Sequence, residues 1–226
     1  MEGTIVNVIA IIIGCSIGFL LRSRFPEKIR KIIMQALGLS SLLIGMQMAL
    51  KTSNILLVIF SLVIGGLIGE IIGIEEGLER VGEKIKSKLS DNTSSEKFIE
   101  GFITASLLYC VGSMAIVGSL EEGLSGNHDI LYAKSVLDGV SSVVFTAAMG
   151  IGVLFSAIPV FLYQGGITLL ARLIKDYLTP EMISEVTAVG GILVLGIGFS
   201  LLEIKKIKVG NLLPAILIAV LLVMVF

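Results

Sequence analysis

Tryptophan is absent from this 226-residue chain, histidine occurs once and cysteine only twice. Cys15 and Cys110 both lie inside apolar runs, and His128 stands alone, so neither a disulfide framework nor a Cys/His metal cluster is expected. Charge is also scarce. Asp, Glu, Lys and Arg make up 15% of the residues, against about 25% in soluble domains. With a net charge of −1 and no basic tail, nothing is set out to meet a nucleic-acid backbone. The chain has no H-E-x-x-H, no G-x-S-x-G and no glycine-rich phosphate loop. It is therefore read as no enzyme and as needing no cofactor. An intramembrane hydrolase built on Ser113 and His128 is a remote alternative, since nothing brings a lone Ser and a lone His together. Met1-Glu2-Gly3 lacks a positive n-region and no A-x-A site follows the first apolar run, so that run reads as an uncleaved span.

What the chain does have is apolar surface. Hydrophobic residues make up 55% of it, and the mean hydropathy is +1.00. Apolar segments cover residues 4–21, 32–50, 55–74, 97–120, 133–156, 159–174, 183–202 and 210–226. A membrane helix needs roughly 17–25 residues, so the sequence predicts an all-α, polytopic transmembrane bundle of eight spans in one domain over residues 1–226. The sixth segment is the shortest and is interrupted by Gln164-Gly165-Gly166, which offers a seven-span alternative with that segment re-entrant. Glycine is abundant at 26 residues, and Gly65, Gly69 and Gly73 form two overlapping small-xxx-small steps.

The distribution of Lys and Arg sets the orientation. With both termini outside, 13 of the 17 basic residues fall on the cytoplasmic side. The stretch 75–97 then becomes a cytoplasmic amphipathic loop, with Ile74, Leu78, Val81, Ile85 and Leu89 on one side, and 121–132 becomes an outer hairpin. A faint internal repeat is also present. Pro26-Glu27 and Pro180-Glu181 precede segments carrying Gly38/Gly45 and Gly191/Gly198, and Asn54 and Asn211 open the segments that follow. Segments 1–3 would then repeat as 6–8 with opposite orientation, a device of transporters and channels. Chance similarity between glycine-rich apolar segments is the alternative.

Polar residues inside these segments are the candidate site. Ser135, Asp138, Gly139, Ser142, Thr146 and Gly150 recur every three or four residues and share one helix face. An intramembrane carboxylate such as Asp138 is costly and ordinarily faces a bundle interior or water. Its structural alternative is a pair with Lys134, one turn earlier. The hydroxyl stripe alone also fits plain helix packing. Ser113 on segment 4 and Gln164 with Gly165 and Gly166 on segment 6 complete the expected pathway, the two glycines being able to unwind the helix around an ion. Glu122, Asp129 and Asn7 are placed at an outer vestibule, although Asn7 alone reads as an interhelical hydrogen bonder. Asp138 lies near the outer end of its segment on this topology.

The runs ASLLYCVGSMAIVGSLEEGLSG, AKSVLDG and SAIPVFLYQGG, with GTIVN and GEIIGIE earlier, resemble the bacterial YqgA/YdfK-like integral membrane family, the domain of unknown function 554. The likeness extends over essentially the whole chain. Glu122 and Asn127 stand where the family pattern carries Asp. The resemblance implies a protein of the bacterial cytoplasmic (inner) membrane with no established activity. The reading is thus a small transporter or channel for a cation, proton or small polar solute, acting as a homo-oligomer, most simply a dimer, in the lipid bilayer. The alternative is a scaffold or sensor working through its loops.

Overall fold

A computed structural model of the chain describes residues 1–22, 27–78, 80, 95–111, 113–174 and 179–225. Among them every regular element is helical: α1 (Glu2–Arg22), α2 (Glu27–Ala49), α3 (Ile55–Ile72), α4 (Ser95–Cys110), α5 (Ser113–Ser125), α6 (Asp129–Met149), a 3₁₀ turn (Ile151–Ser156), α7 (Ala157–Ile174), α8 (Pro180–Leu201), α9 (Val209–Leu212) and α10 (Pro214–Val225). Six described helical stretches are long and apolar enough to cross a membrane, and α4 with α5 forms a further bent pair. Val209–Met224 is apolar but shorter. Most of the proposed amphipathic loop, residues 79 and 81–94, lies outside the described residues; its start, 74–78, is helical.

Where the sequence suggests one domain, the chain divides into two compact units. Met1–Arg30 with Ser90–Leu178 make the first, and Lys31–Leu89 with Thr179–Phe226 the second. In the first unit, α1 and α6 run side by side in the same direction. A Cβ on Gly14 would sit 2.2 Å from the carbonyl oxygen of Gly139, and one on Gly18 would sit 2.4 Å from that of Val143. Glycine is what allows the two backbones to touch, as in close membrane helix pairs. α5 meets α7 in the same way, with Gly123 against the Thr168 carbonyl. Phe98 of α4 packs its ring 5.3 Å from that of Phe155 in the 3₁₀ turn.

Several boundaries in this unit differ from the sequence expectation. Segment 4 is not one helix: α4 and α5 are bent by 54°. Segment 5 stops at Met149, because Gly150 adopts φ 93° and ψ −161°, a conformation essentially reserved for glycine. Its N–H closes α6 on Thr146 O at 2.9 Å. The sixth segment then gains the 3₁₀ turn, and Ile151–Leu173 becomes a 23-residue apolar stretch. Gly165-Gly166 does not unwind it; α7 is continuous through both. Without competing water, a backbone in an apolar setting keeps its internal hydrogen bonds even at glycine. The outer hairpin is also shorter, since Glu121 to Ser125 are helical.

The second unit is built on glycine contacts between α2 and α8. Gly38 lies against Leu202 and Gly198, and Gly45 against Gly191 and Leu195. The helices are therefore antiparallel, and exchanging Gly38 with Gly191 and Gly45 with Gly198 maps one contact onto the other. α3 runs antiparallel to α9 and α10, with Gly69 at Asn211 and Gly65 at Ala215. Thr179 caps α8 by accepting from Met182 N at 3.1 Å, and Pro180 takes the first helical position, where its missing N–H costs nothing. Glu185, fully buried, accepts from Thr52 Oγ1, Ser53 N, Ser53 Oγ and Asn54 N, so one carboxylate holds the α2–α3 turn. At the other end, Asn211 donates to Glu70 and accepts from Glu75 N. In the loop before α9, the Glu70 carboxylate holds the Lys208 ammonium above the ordinary lysine range.

Candidate functional site

The polar face of α6 points into the first unit. Lys134, Ser135, Asp138, Ser142 and Thr146 are all buried, while Val136, Leu137 and Val140 on the other side are exposed. A 3.6-residue period is enough to separate the two sets. Lys134 Nζ donates to Asp138 Oδ2 one turn along the same helix. It also stands 5.7 Å from the centre of the Tyr109 ring, within range of a cation–π contact. Tyr109 OH and Ser142 Oγ are 2.9 Å apart, and Ser141 Oγ donates to Tyr109 OH. The Ser135 hydroxyl bonds back to Leu131 O within its own helix.

Two amides meet the carboxylate. Asn7 Nδ2 donates to Asp138 Oδ2 at 3.0 Å and to Gln164 Oε1 at 3.2 Å. Both amide residues are fully buried. Their other poles, Asn7 Oδ1 and Gln164 Nε2, have no partner. Three helices, α1, α6 and α7, thus supply one hydrogen-bonded cluster.

A second cluster surrounds Glu122 on α5. Its carboxylate accepts from Gly3 N at 2.6 Å, Thr4 Oγ1 at 2.9 Å and Thr168 Oγ1 at 3.2 Å, and His128 Nδ1 lies 3.0 Å away. Thr4 and Asn7 are three apart on α1, and Gln164 and Thr168 four apart on α7. α1 and α7 therefore contribute to both clusters, which lie about one 5.4 Å turn apart. The result is a polar ladder inside an otherwise apolar unit.

The structure places the sequence candidates unevenly. Asp138, Lys134, Asn7 and Gln164 come together, and Ser142 and Thr146 lie further along the same face. Asn7, expected at an outer vestibule, is instead wholly buried beside Asp138, because α1 packs directly along α6 and brings its amide within 3.0 Å of the carboxylate. Glu122, also expected there, is buried on a helix and held by the start of α1. Asp129 stays exposed at the first turn of α6. The atoms nearest a Cβ on Gly165 are side-chain atoms of Met1 and Thr4, and one on Gly166 would have open space among the described residues. The side chain of Ser113 lies outside the described residues. Among those residues, no three His, Cys, Asp or Glu side chains converge as metal ligands would. Thr4 and Glu185 are the polar anchors that sequence reasoning misses. Both sit near segment ends, where a polar residue ordinarily reaches water and attracts no notice.

Long apolar helices with lipid-suited outer faces, enclosing buried ionic and amide groups, define a polytopic α-helical membrane protein. The chain belongs to the protein family of unknown function DUF554, which it matches over residues 2–224. It is 36% identical over 222 residues to the uncharacterized membrane protein YdfK of Bacillus subtilis (strain 168), covering 96% of this chain and 93% of that protein. It is 34% identical over 220 residues to the uncharacterized protein YqgA of Escherichia coli (strain K12), covering 96% and 94%. No solved structure matches.

Proposed function

We propose that the protein moves a small polar solute, a proton or a cation across the bacterial cytoplasmic membrane, along the ladder inside the first unit. The observation that carries this reading is the buried Lys134–Asp138 pair with Asn7 and Gln164 against it. A charge costs roughly 2.5–3.5 kcal/mol at the centre of a membrane helix on insertion scales and less towards its ends, and such residues ordinarily mark solute or proton paths. A purely mechanical core needs neither charge, since apolar residues pack as well. The excess of Lys and Arg in the 22–31, 80–97 and 205–208 stretches puts those stretches in the cytoplasm and both termini outside.

Purified protein in liposomes tests this with fluxes of protons, sodium, potassium and small uncharged solutes. Wild type moves at least one of them above protein-free vesicles, and Asp138→Asn lowers that flux at least tenfold. An unchanged flux in Asp138→Asn removes Asp138 from the mechanism. No flux of any probe by the wild type leaves a structural polar core and favours a scaffold or sensor role.

A further inference from the structure

Within the polar ladder two neighbouring amides each leave one polar atom open, and their chemistry selects among solutes. We infer, resting on the transport reading above, that Asn7 and Gln164 recognise an uncharged solute presenting a hydrogen-bond donor and acceptor side by side, as a carboxamide, a urea or a polyol does.

The orientation of both amides follows from their neighbours. Asp138 Oδ2 only accepts, so the atom of Asn7 facing it at 3.0 Å is Nδ2. The same Nδ2 faces Gln164 at 3.2 Å, so the Gln164 atom there is Oε1. That leaves Asn7 Oδ1 and Gln164 Nε2, both on fully buried residues and both without a partner. Two free amides would close on each other with two hydrogen bonds. Here the pull of Asp138 on Asn7 lets only one form. An unmet buried donor or acceptor is costly, so two of them on neighbouring residues point to a guest that satisfies both. With one 3.2 Å bond between the amides, their open ends lie within about 8 Å of each other, from ordinary amide dimensions. One small molecule spans that.

Charge argues against an ion here. The Asp138 carboxylate is already matched by the Lys134 ammonium on the same helix. A bare cation would meet the Gln164 NH₂ and the Lys134 ammonium, and would find only one open amide oxygen where hard cations take about six oxygens. An anion would meet the lone pairs of Asn7 Oδ1 and the Asp138 carboxylate, with the Lys134 ammonium already committed to that carboxylate. A neutral donor–acceptor molecule meets no like charge and completes both amides.

The test is osmotic light scattering from liposomes holding the full chain, with acetamide, urea and glycerol as probes, run beside sodium and proton flux. Acetamide or urea permeability is expected to rise at least fivefold over protein-free vesicles, with sodium and protons at background. Gln164→Glu keeps the oxygen that accepts from Asn7 and deletes the donor, and is expected to cut the acetamide signal at least tenfold, as is Gln164→Met. Sodium or proton flux with acetamide and urea at background overturns the inference and leaves the transport reading standing. Silence with every probe overturns both. Wild-type acetamide flux undiminished in a folded Gln164→Met also overturns it. Where a variant fails to fold, the order of probes through the wild type alone decides.

Discussion

Breaking the Lys134–Asp138 pair from one side at a time, and then from both, probes the centre of the first unit. The side chains of Lys134 and Asp138 are 7% and 8% exposed. Asp138→Leu leaves an ammonium with the Tyr109 ring as its remaining close neighbour, and Lys134→Met leaves a carboxylate with Asn7 alone. Removing one partner of a buried pair costs about 3–5 kcal/mol, because an uncompensated charge stays behind. The double variant leaves no charge. Asn7 Nδ2 keeps Gln164, and the losses reduce to one hydrogen bond and one cation–π contact, about 1–2 kcal/mol together. The double variant should therefore be more stable than either single one, where ordinary additivity would make it the worst of the three. Unfolding of purified protein in mixed micelles with increasing dodecyl sulfate, followed by circular dichroism, measures all four. Since whole domains are stable by only about 5–15 kcal/mol, the single variants shift the midpoint visibly. Single losses below about 1 kcal/mol that simply add would refute the reasoning, because they would mean that water already solvates both charges.

Two further perturbations reach other parts of the fold. Gly14→Leu drives a side chain into the Gly139 carbonyl, which a Cβ already approaches to 2.2 Å; it should cost about 3 kcal/mol or more and uncouple α1 from α6, seen as faster hydrogen exchange along α1, while Gly77→Leu, with nothing within 4 Å, should leave exchange unchanged. Glu185→Ala strips the α2–α3 turn of its acceptor for two backbone N–H groups and two hydroxyls; a loss of about 3 kcal/mol is expected, with thermal unfolding in detergent as the readout, and Glu185→Gln should recover about half of it because one amide oxygen still accepts.

Much of this arrangement is legible in the sequence, and the parts that are not share a cause. The α6 face of Ser135, Asp138, Ser142 and Thr146 follows from a three-and-four spacing, and its burial agrees with that spacing. The Lys134–Asp138 contact follows from a separation of four. The helical, membrane-spanning class follows from segment length and hydropathy. The breaks do not. A glycine in an apolar run is equally suited to packing, bending or nothing, so Gly150 ends a helix while Gly165 and Gly166 do not. What decides is the neighbour across the interface, such as Phe98 O against Gly152, and one sequence does not carry that pairing. Asn7 and Glu122 show the same limit. Their positions along the chain suggest an outer mouth, but α1 and α5 fold them onto partners more than a hundred residues away.

The four-residue separation of Lys134 and Asp138 bears on how α6 enters the bilayer in the first place. Helices pass from the translocation machinery into lipid one or a few at a time, and an isolated Asp or Lys at a helix centre resists that passage by roughly 2.5–3.5 kcal/mol. A partner on another helix brings no relief until that helix has arrived. Lys134 and Asp138 lie one turn apart on the same helix, so they neutralise each other as soon as that turn winds. α6 thus carries its own counter-ion through biogenesis. Asn7, already synthesised, can join at once, and Gln164 only after a further 26 residues beyond Asp138 have been made.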